Sequence, residues 1–165
     1  MRRAICPGSF DPVTMGHLNI IRRAAAMFDE VIVCVMFNSA KQGLFAPEER
    51  VELLKKVTEG IPNVKVDCAA GLVAEYAREH GARILVKGLR AVSDYESEMQ
   101  MAMLNYKLNH QLETVFLYTS PKYSYLSSTV VKEMARYGAD LTGLVPKQIV
   151  DDVHNKMRER LKGKE

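Results

Sequence analysis

The chain has 165 residues, 47% hydrophobic and 26% charged, with a formal net charge of +3. That length fits one domain spanning residues 1–165 and able to bury roughly two thirds of its unfolded surface; so small and interspersed a charge does not imply nucleic-acid binding by field alone, and no nucleic-acid partner is expected. No apolar run of about 18 residues, signal-peptide pattern or lipidation motif occurs, so a cytoplasmic globular protein with no membrane partner is expected.

In chain order, apolar β-type runs alternate with helical periodicity. A strand is predicted over residues 3–6 (Arg3-Ala4-Ile5-Cys6) and a helix over 16–28, where Leu18, Ile21, Ala25 and Phe28 recur at helical spacing. A strand over 30–36 and a helix over 47–59 follow, with Pro47, Glu48 and Glu49 suited to the first helical turn. Strand 64–69 leads to helix 72–80 and strand 83–87 to helix 92–109. Strand 114–118 leads to helices 128–137 and 146–161. Gly81 and Gly138 fit helix C-terminal caps. The strand runs are almost continuously apolar, as parallel strands covered on both faces are. The alternation predicts an α/β fold, a doubly wound parallel five-stranded sheet whose ligands bind beyond the strands' carboxyl ends.

Cysteine and histidine placement narrows the chemistry. Cys6, Cys34 and Cys68 each lie in a strand-like run without C-x-x-C spacing, and read as small buried hydrophobes in a reducing compartment. His17, His80, His110 and His154 show no metal-ligand spacing, so no side chain is assigned to a metal. The alternating charges near the C-terminus read as a solvated helix end.

The most informative segment is Pro7-Gly8-Ser9-Phe10-Asp11-Pro12-Val13-Thr14-Met15-Gly16-His17, a polar loop running from the first strand into the first helix. With Thr14 as N-cap, Gly16 and His17 fall in the first turn, where backbone N–H groups and the helix dipole suit a phosphate. Neither G-x-x-x-x-G-K-[ST] nor a strand-linked G-x-G-x-x-G occurs, which argues against a Walker-type NTPase and a dinucleotide-binding enzyme. T-M-G-H at a helix start resembles the [HT]-x-G-H signature of the nucleotidyltransferase superfamily.

Three further polar segments leave strand ends. Asn38 to Gly43 carries Lys41; Lys87-Gly88-Leu89-Arg90 places two cations about a glycine; Tyr123 to Lys132 brings Ser127, Ser128 and Thr129 to a helix start. Each has a purely structural alternative. Lys41 can be a solvated charge, the serines can be caps, Asp11 can be a turn former, and Lys87 and Arg90 can pair with Asp94 or Glu98. Met99, Met101 and Met103 fit a core or a subunit contact. What favours phosphate binding is that all these loops converge on one sheet edge.

G-S-F-D-P-x-T-x-G-H, K-G-L-R-A-x-x-D-Y-E-x-E-M-Q and Y-x-x-x-S-S-T-x-V-K-E together resemble the bacterial phosphopantetheine adenylyltransferases over essentially the whole chain. The middle motif points away from the mononucleotide adenylyltransferases and the cytidylyltransferases. The resemblance implies a Rossmann-like nucleotidyltransferase fold. The implied reaction converts ATP and 4′-phosphopantetheine to dephospho-coenzyme A and pyrophosphate with magnesium (Mg2+), in a homohexamer. It implies ATP contacts at Ser9, Phe10, His17, Gly88, Leu89, Arg90, Glu98, Tyr123, Ser124, Tyr125, Leu126, Ser127, Ser128 and Thr129. It implies acceptor contacts at Ser9, Lys41, Val73 and Lys87, with His17 catalytic through the transition state. Ser9 and Lys87 stand where relatives can carry threonine and arginine, and lysine lacks the bidentate fork. The attacking phosphate is anionic at neutral pH, so positioning and charge neutralisation replace a general base. The charge on His17 is open at this level: a helix N-terminus lowers its pKa and phosphates raise it.

Overall fold

A computed structural model describes residues 1–38, 40 and 42–163. Its strands are β1 (Arg3–Gly8), β2 (Glu30–Phe37), β3 (Val64–Ala70), β4 (Ile84–Leu89) and β5 (Glu113–Tyr118). All pairings are parallel, in the order β3-β2-β1-β4-β5. The helices are α1 (Met15–Met27), α2 (Pro47–Thr58), α3 (Val73–Glu79), α4 (Val92–Leu108), α5 (Ser128–Arg136) and α6 (Val150–Lys162). The predicted elements are therefore present, and their ends mostly move by one or two residues. The larger shift is α6, which begins at Val150 after a 3₁₀ turn over Lys147–Ile149; β1 runs two residues on, through Pro7 and Gly8.

Helices cover both faces, as the alternation requires. One face buries Leu18, Ile21 and Ala24 of α1, Leu53, Leu54 and Val57 of α2, Val131 of α5 and Val153 of α6, against Ala4, Cys6, Val31, Val33 and Val35 of the sheet. The other packs Ala74, Tyr76 and Ala77 of α3 on Ile5, Ile32, Cys34 and Leu85. Fully burying a Leu, Ile or Val side chain stabilises by about 1.5–3 kcal/mol, so the face-to-face alternation along β1 and β2 fixes the register. Cys6 and Cys34 are buried, Cys68 is half-buried, and all three are free thiols. Burial pushes the Cys6 thiol up to about 12 and that of Cys34 to about 11, which leaves both inert.

Coverage is incomplete at one end. Helix α4 has no buried residue, and Glu113 and Tyr118 at the ends of β5 are exposed. The expectation that every strand is covered on both faces fails there, because α4 turns Met101, Met103, Leu104 and Tyr106 outward.

The ladder explains where the site opens. β1 pairs with β2 from Arg3 to Gly8, but with β4 only at Ala4 and Ile5. Pro7 has no N–H to give to a neighbour. The two central strands part beyond Ile5, at the point where strand order reverses, and this crevice is where ligands of such sheets bind.

Candidate active site

His17 stands at the mouth of the crevice and is held by its own helix start. Thr14 is the N-cap of α1, and its Oγ1 accepts from the His17 N–H at 3.3 Å. In return the Thr14 N–H donates to His17 Nδ1 at 3.0 Å. A backbone N–H can only donate, so Nδ1 is bare and the neutral ring carries its proton on Nε2. Phe10 meets the ring edge-on, with centroids 5.1 Å apart. Burial, followed by the charges of Arg90 and Lys87, lowers the His17 pKa from 6.5 to about 4. In the free protein at neutral pH His17 is thus an uncharged N–H donor, through its burial and the two nearby cations.

The far wall comes from the end of β4. Lys87 Nζ lies 3.2 Å from Glu98 Oε1 and 3.5 Å from the Pro7 carbonyl, across the gap between β1 and β4. Arg90 grips Asp94 through Nε at 3.0 Å and Nη2 at 3.2 Å, and donates through Nη1 to the Leu126 carbonyl at 2.7 Å. These bonds hold the Asp94 carboxyl below its ordinary range, against the opposing effect of burial. Gly88 is required by packing, since a Cβ there would lie 2.9 Å from Ile20 Cγ1. The structural alternative for these cations is therefore realised: both are paired with carboxylates, and both still line the crevice.

Helix α5 closes the third side. Ser127 is its N-cap, accepting from the Val130 N–H at 3.1 Å, and the Ser128 hydroxyl donates to the Pro12 carbonyl at 2.7 Å. The first-turn N–H groups of Ser128 and Thr129 lack intrahelical acceptors. Ser9, Phe10, His17, Lys87, Gly88, Arg90, Glu98, Leu126, Ser127 and Ser128 line a cavity of about 280 Å³. A narrower pocket of about 190 Å³ adjoins it, lined by Val73, Met101 and Asn105, and shares Ser9, Lys87 and Glu98 with the first.

Comparison with known proteins gives the family. The cytidylyltransferase-like family matches residues 5–134. The phosphopantetheine adenylyltransferase of Clostridium novyi (strain NT) is 54% identical over 157 residues, 95% of this chain and 98% of the relative. That of Caldanaerobacter subterraneus subsp. tengcongensis is 54% identical over 159 residues, 96% and 99% of the two chains. That of Clostridium botulinum (strain Alaska E43 / Type E3) is 53% identical over 153 residues, 93% and 96%. The chain belongs to the phosphopantetheine adenylyltransferase family.

Within that family assignment, most sequence-selected residues gather at the two joined pockets, and some do not. Leu89, Tyr123, Ser124 and Tyr125 are not among the lining residues of either, and Tyr125 is exposed. Thr129 lines a third, broader hollow between α5 and the segment joining β2 to α2. Lys41 lies outside the described residues. Sequence reading missed Thr119 in the larger cavity and Met101 and Asn105 in the smaller one. Met101 and Asn105 are four apart on one helix, so their shared face was available as a signal. Among the described residues no group of three or more His, Cys, Asp or Glu side chains is placed to hold a metal ion.

Proposed function

We propose that the protein transfers the adenylyl group of ATP to the terminal phosphate of 4′-phosphopantetheine, releasing pyrophosphate and giving dephospho-coenzyme A. The observation that carries the reading is the wall common to the two pockets: Ser9, Lys87 and Glu98 border both. ATP in the larger cavity and a slender acceptor in the smaller one would meet at that wall. A phosphate oxygen of the acceptor attacks the α-phosphorus in line. The new P–O bond forms as the bond to the bridging oxygen breaks, and pyrophosphate leaves with that electron pair. The acceptor phosphate is already ionised, so no proton is removed. His17 donates Nε2–H to a nonbridging α-phosphate oxygen as charge builds there, and Lys87 and Arg90 offset the incoming phosphates.

Magnesium fits this site as a companion of the triphosphate. Arg90 and Lys87 engage the carboxylates of Asp94 and Glu98, so the nucleotide's phosphates and water would hold the ion, as Mg2+ prefers. The Ser9 and Ser127 hydroxyls are neutral oxygens offered by the same cavity. When bound, the ion would neutralise charge on the departing pyrophosphate.

The protein is further proposed to work as a homo-oligomer in the cytoplasm, with six subunits, as the resemblance implies. Supporting this, α4 exposes Met101, Met103, Leu104, Tyr106 and Leu108 along one helix, apolar side chains that a neighbouring subunit would cover. No helix among the described residues is long and apolar enough to cross a membrane. The deciding experiment supplies ATP and magnesium with either 4′-phosphopantetheine or nicotinamide mononucleotide and follows pyrophosphate. Release is expected with the first acceptor and barely with the second. The narrower pocket offers Val73, Met101 and Asn105 to an amide arm and no aromatic platform to a nicotinamide ring. Comparable rates with both acceptors would reject the reading.

A further inference from the structure

Behind the crevice lies a charged cluster that borders neither of the two joined pockets. Asp11 and Arg50 are 5% and 7% exposed. The Asp11 carboxylate accepts from the Leu44 and Phe45 N–H groups, each at 2.8 Å, and lies 3.3 Å from Lys132 Nζ. Arg50 donates through Nε to the Phe45 carbonyl at 2.9 Å and through Nη1 to the Ser9 carbonyl at 3.3 Å. Its Nε is 3.5 Å from Asp11 Oδ1. The backbone at Gly43 passes so close that a Cβ there would overlap the guanidinium and lie 2.9 Å from Asp11 Oδ2. Two segments far apart in sequence are thus joined by one arginine: the Ser9–Asp11 turn and the Gly43–Arg50 stretch that leads into α2.

Fold stability is a poor account of this arrangement, because a buried ion pair often stabilises no better than apolar side chains of similar volume. What the cluster does fix is a turn that the chain would otherwise avoid. Phe10 has φ 47°, a left-handed conformation uncommon for a residue with a bulky side chain. That conformation lets the chain present Ser9 to both pockets while Phe10 packs on the His17 ring. We infer that Arg50 is a positioning residue: through the Ser9 carbonyl and Asp11 it sets the Ser9–Phe10 turn, and through that turn the alignment of His17 with the acceptor phosphate. The catalytic part of the inference rests on the adenylyl-transfer reading above.

Two substitutions perturb the cluster in different ways. Arg50→Lys keeps the charge and loses the fork. Gly43→Ala keeps every charge and crowds the guanidinium, at a position outside the left-handed backbone region. In both, turnover with ATP and 4′-phosphopantetheine should fall about tenfold to a hundredfold, the scale for a misplacement near 1 Å. Affinities for the two substrates, measured by calorimetry, should stay within about threefold, and Arg50→Met should be worse than Arg50→Lys. The ¹⁵N ring signals of His17 in the substrate-free variants should shift as well. This readout stands even if the wild type releases no pyrophosphate with this acceptor, an outcome that rejects the proposed reaction and not the positioning of His17. Folded variants with unchanged His17 signals and turnover within twofold of wild type would overturn the inference. Weakened substrate affinity at unchanged turnover would also overturn it, by making Arg50 a binding contact. Should neither variant fold, folding is the role of Arg50 and the inference falls.

Discussion

Titration of His17 tests the site's electrostatics in the free protein. Its pKa is lowered from 6.5 to about 4 by burial and by the charges of Arg90 and Lys87. Between those values the unfolded chain binds a proton that the folded chain refuses, so stability rises with pH across the window. The contribution is complete above about pH 6.5 and fades as pH falls toward 4, below which both states carry the proton. Integrated from pH 7 to pH 4.5, two such pKa values remove about 2.4 kcal/mol of stability. That figure is a ceiling, because the ring borders an open cavity that water enters. The assay is urea unfolding of wild type and His17→Asn at both pH values. Other titrating groups cancel in the difference, and asparagine removes the imidazole alone. Wild type should lose about 2 kcal/mol more than the variant on acidification. A difference below about 0.5 kcal/mol, or one of opposite sign, would show that His17 is not held neutral and would undo its assignment as an uncharged donor.

Other substitutions address packing, charge and assembly. Gly88→Ala should cost about 1–3 kcal/mol by overpacking Ile20, seen as a lower Tm; an unchanged Tm would refute the close approach. Lys87→Ala should raise KM for both substrates and Arg90→Ala for ATP alone, since Lys87 borders both pockets and Arg90 the larger one alone. Each lost charge-assisted contact should cost about 1.5–3 kcal/mol, and matching defects in the two variants would reject that division. Met103→Glu on the exposed face of α4 should break the oligomer toward the 18.6 kDa chain in light scattering; a monomeric wild type would remove the premise.

The strands and helices were legible because each obeys a local period, and the start of α1 because Thr14, Gly16 and His17 lie within one turn of each other. Gly81 and Gly138 were legible as caps and have the positive φ values of 61° and 69° that this requires. Contacts that join distant segments were not legible. Arg50 stands among the charges of α2 and gives no local sign that its guanidinium reaches the Ser9 carbonyl, 41 positions earlier. Asp11 fitted a simple turn former, yet its carboxylate holds two backbone N–H groups more than 30 positions away. The early end of the β1–β4 ladder also escaped the period, although Pro7, unable to donate, marked the place. The protonation of His17 needed the actual partner of Nδ1, which composition cannot supply.

The pairing of the two wall cations bears on how such a cavity selects its ligand. Lys87 and Arg90 are held by Glu98 and Asp94, so the fixed charges of that wall cancel before anything binds. An uncharged molecule entering there gains nothing from the cations and leaves both ion pairs in place. A polyphosphate can draw Lys87 and Arg90 toward itself, and each carboxylate released stands in a region open enough for water to solvate it, since both pairs are partly exposed. The exchange is therefore inexpensive for an anion and unrewarding for a neutral analogue, which is discrimination by a difference of affinities. A neutral His17 belongs to the same logic. An imidazolium at that position would add a third cation within a wall already balanced, whereas in the proposed reaction Nε2–H would supply a directed hydrogen bond whose strength grows as negative charge develops on its acceptor oxygen.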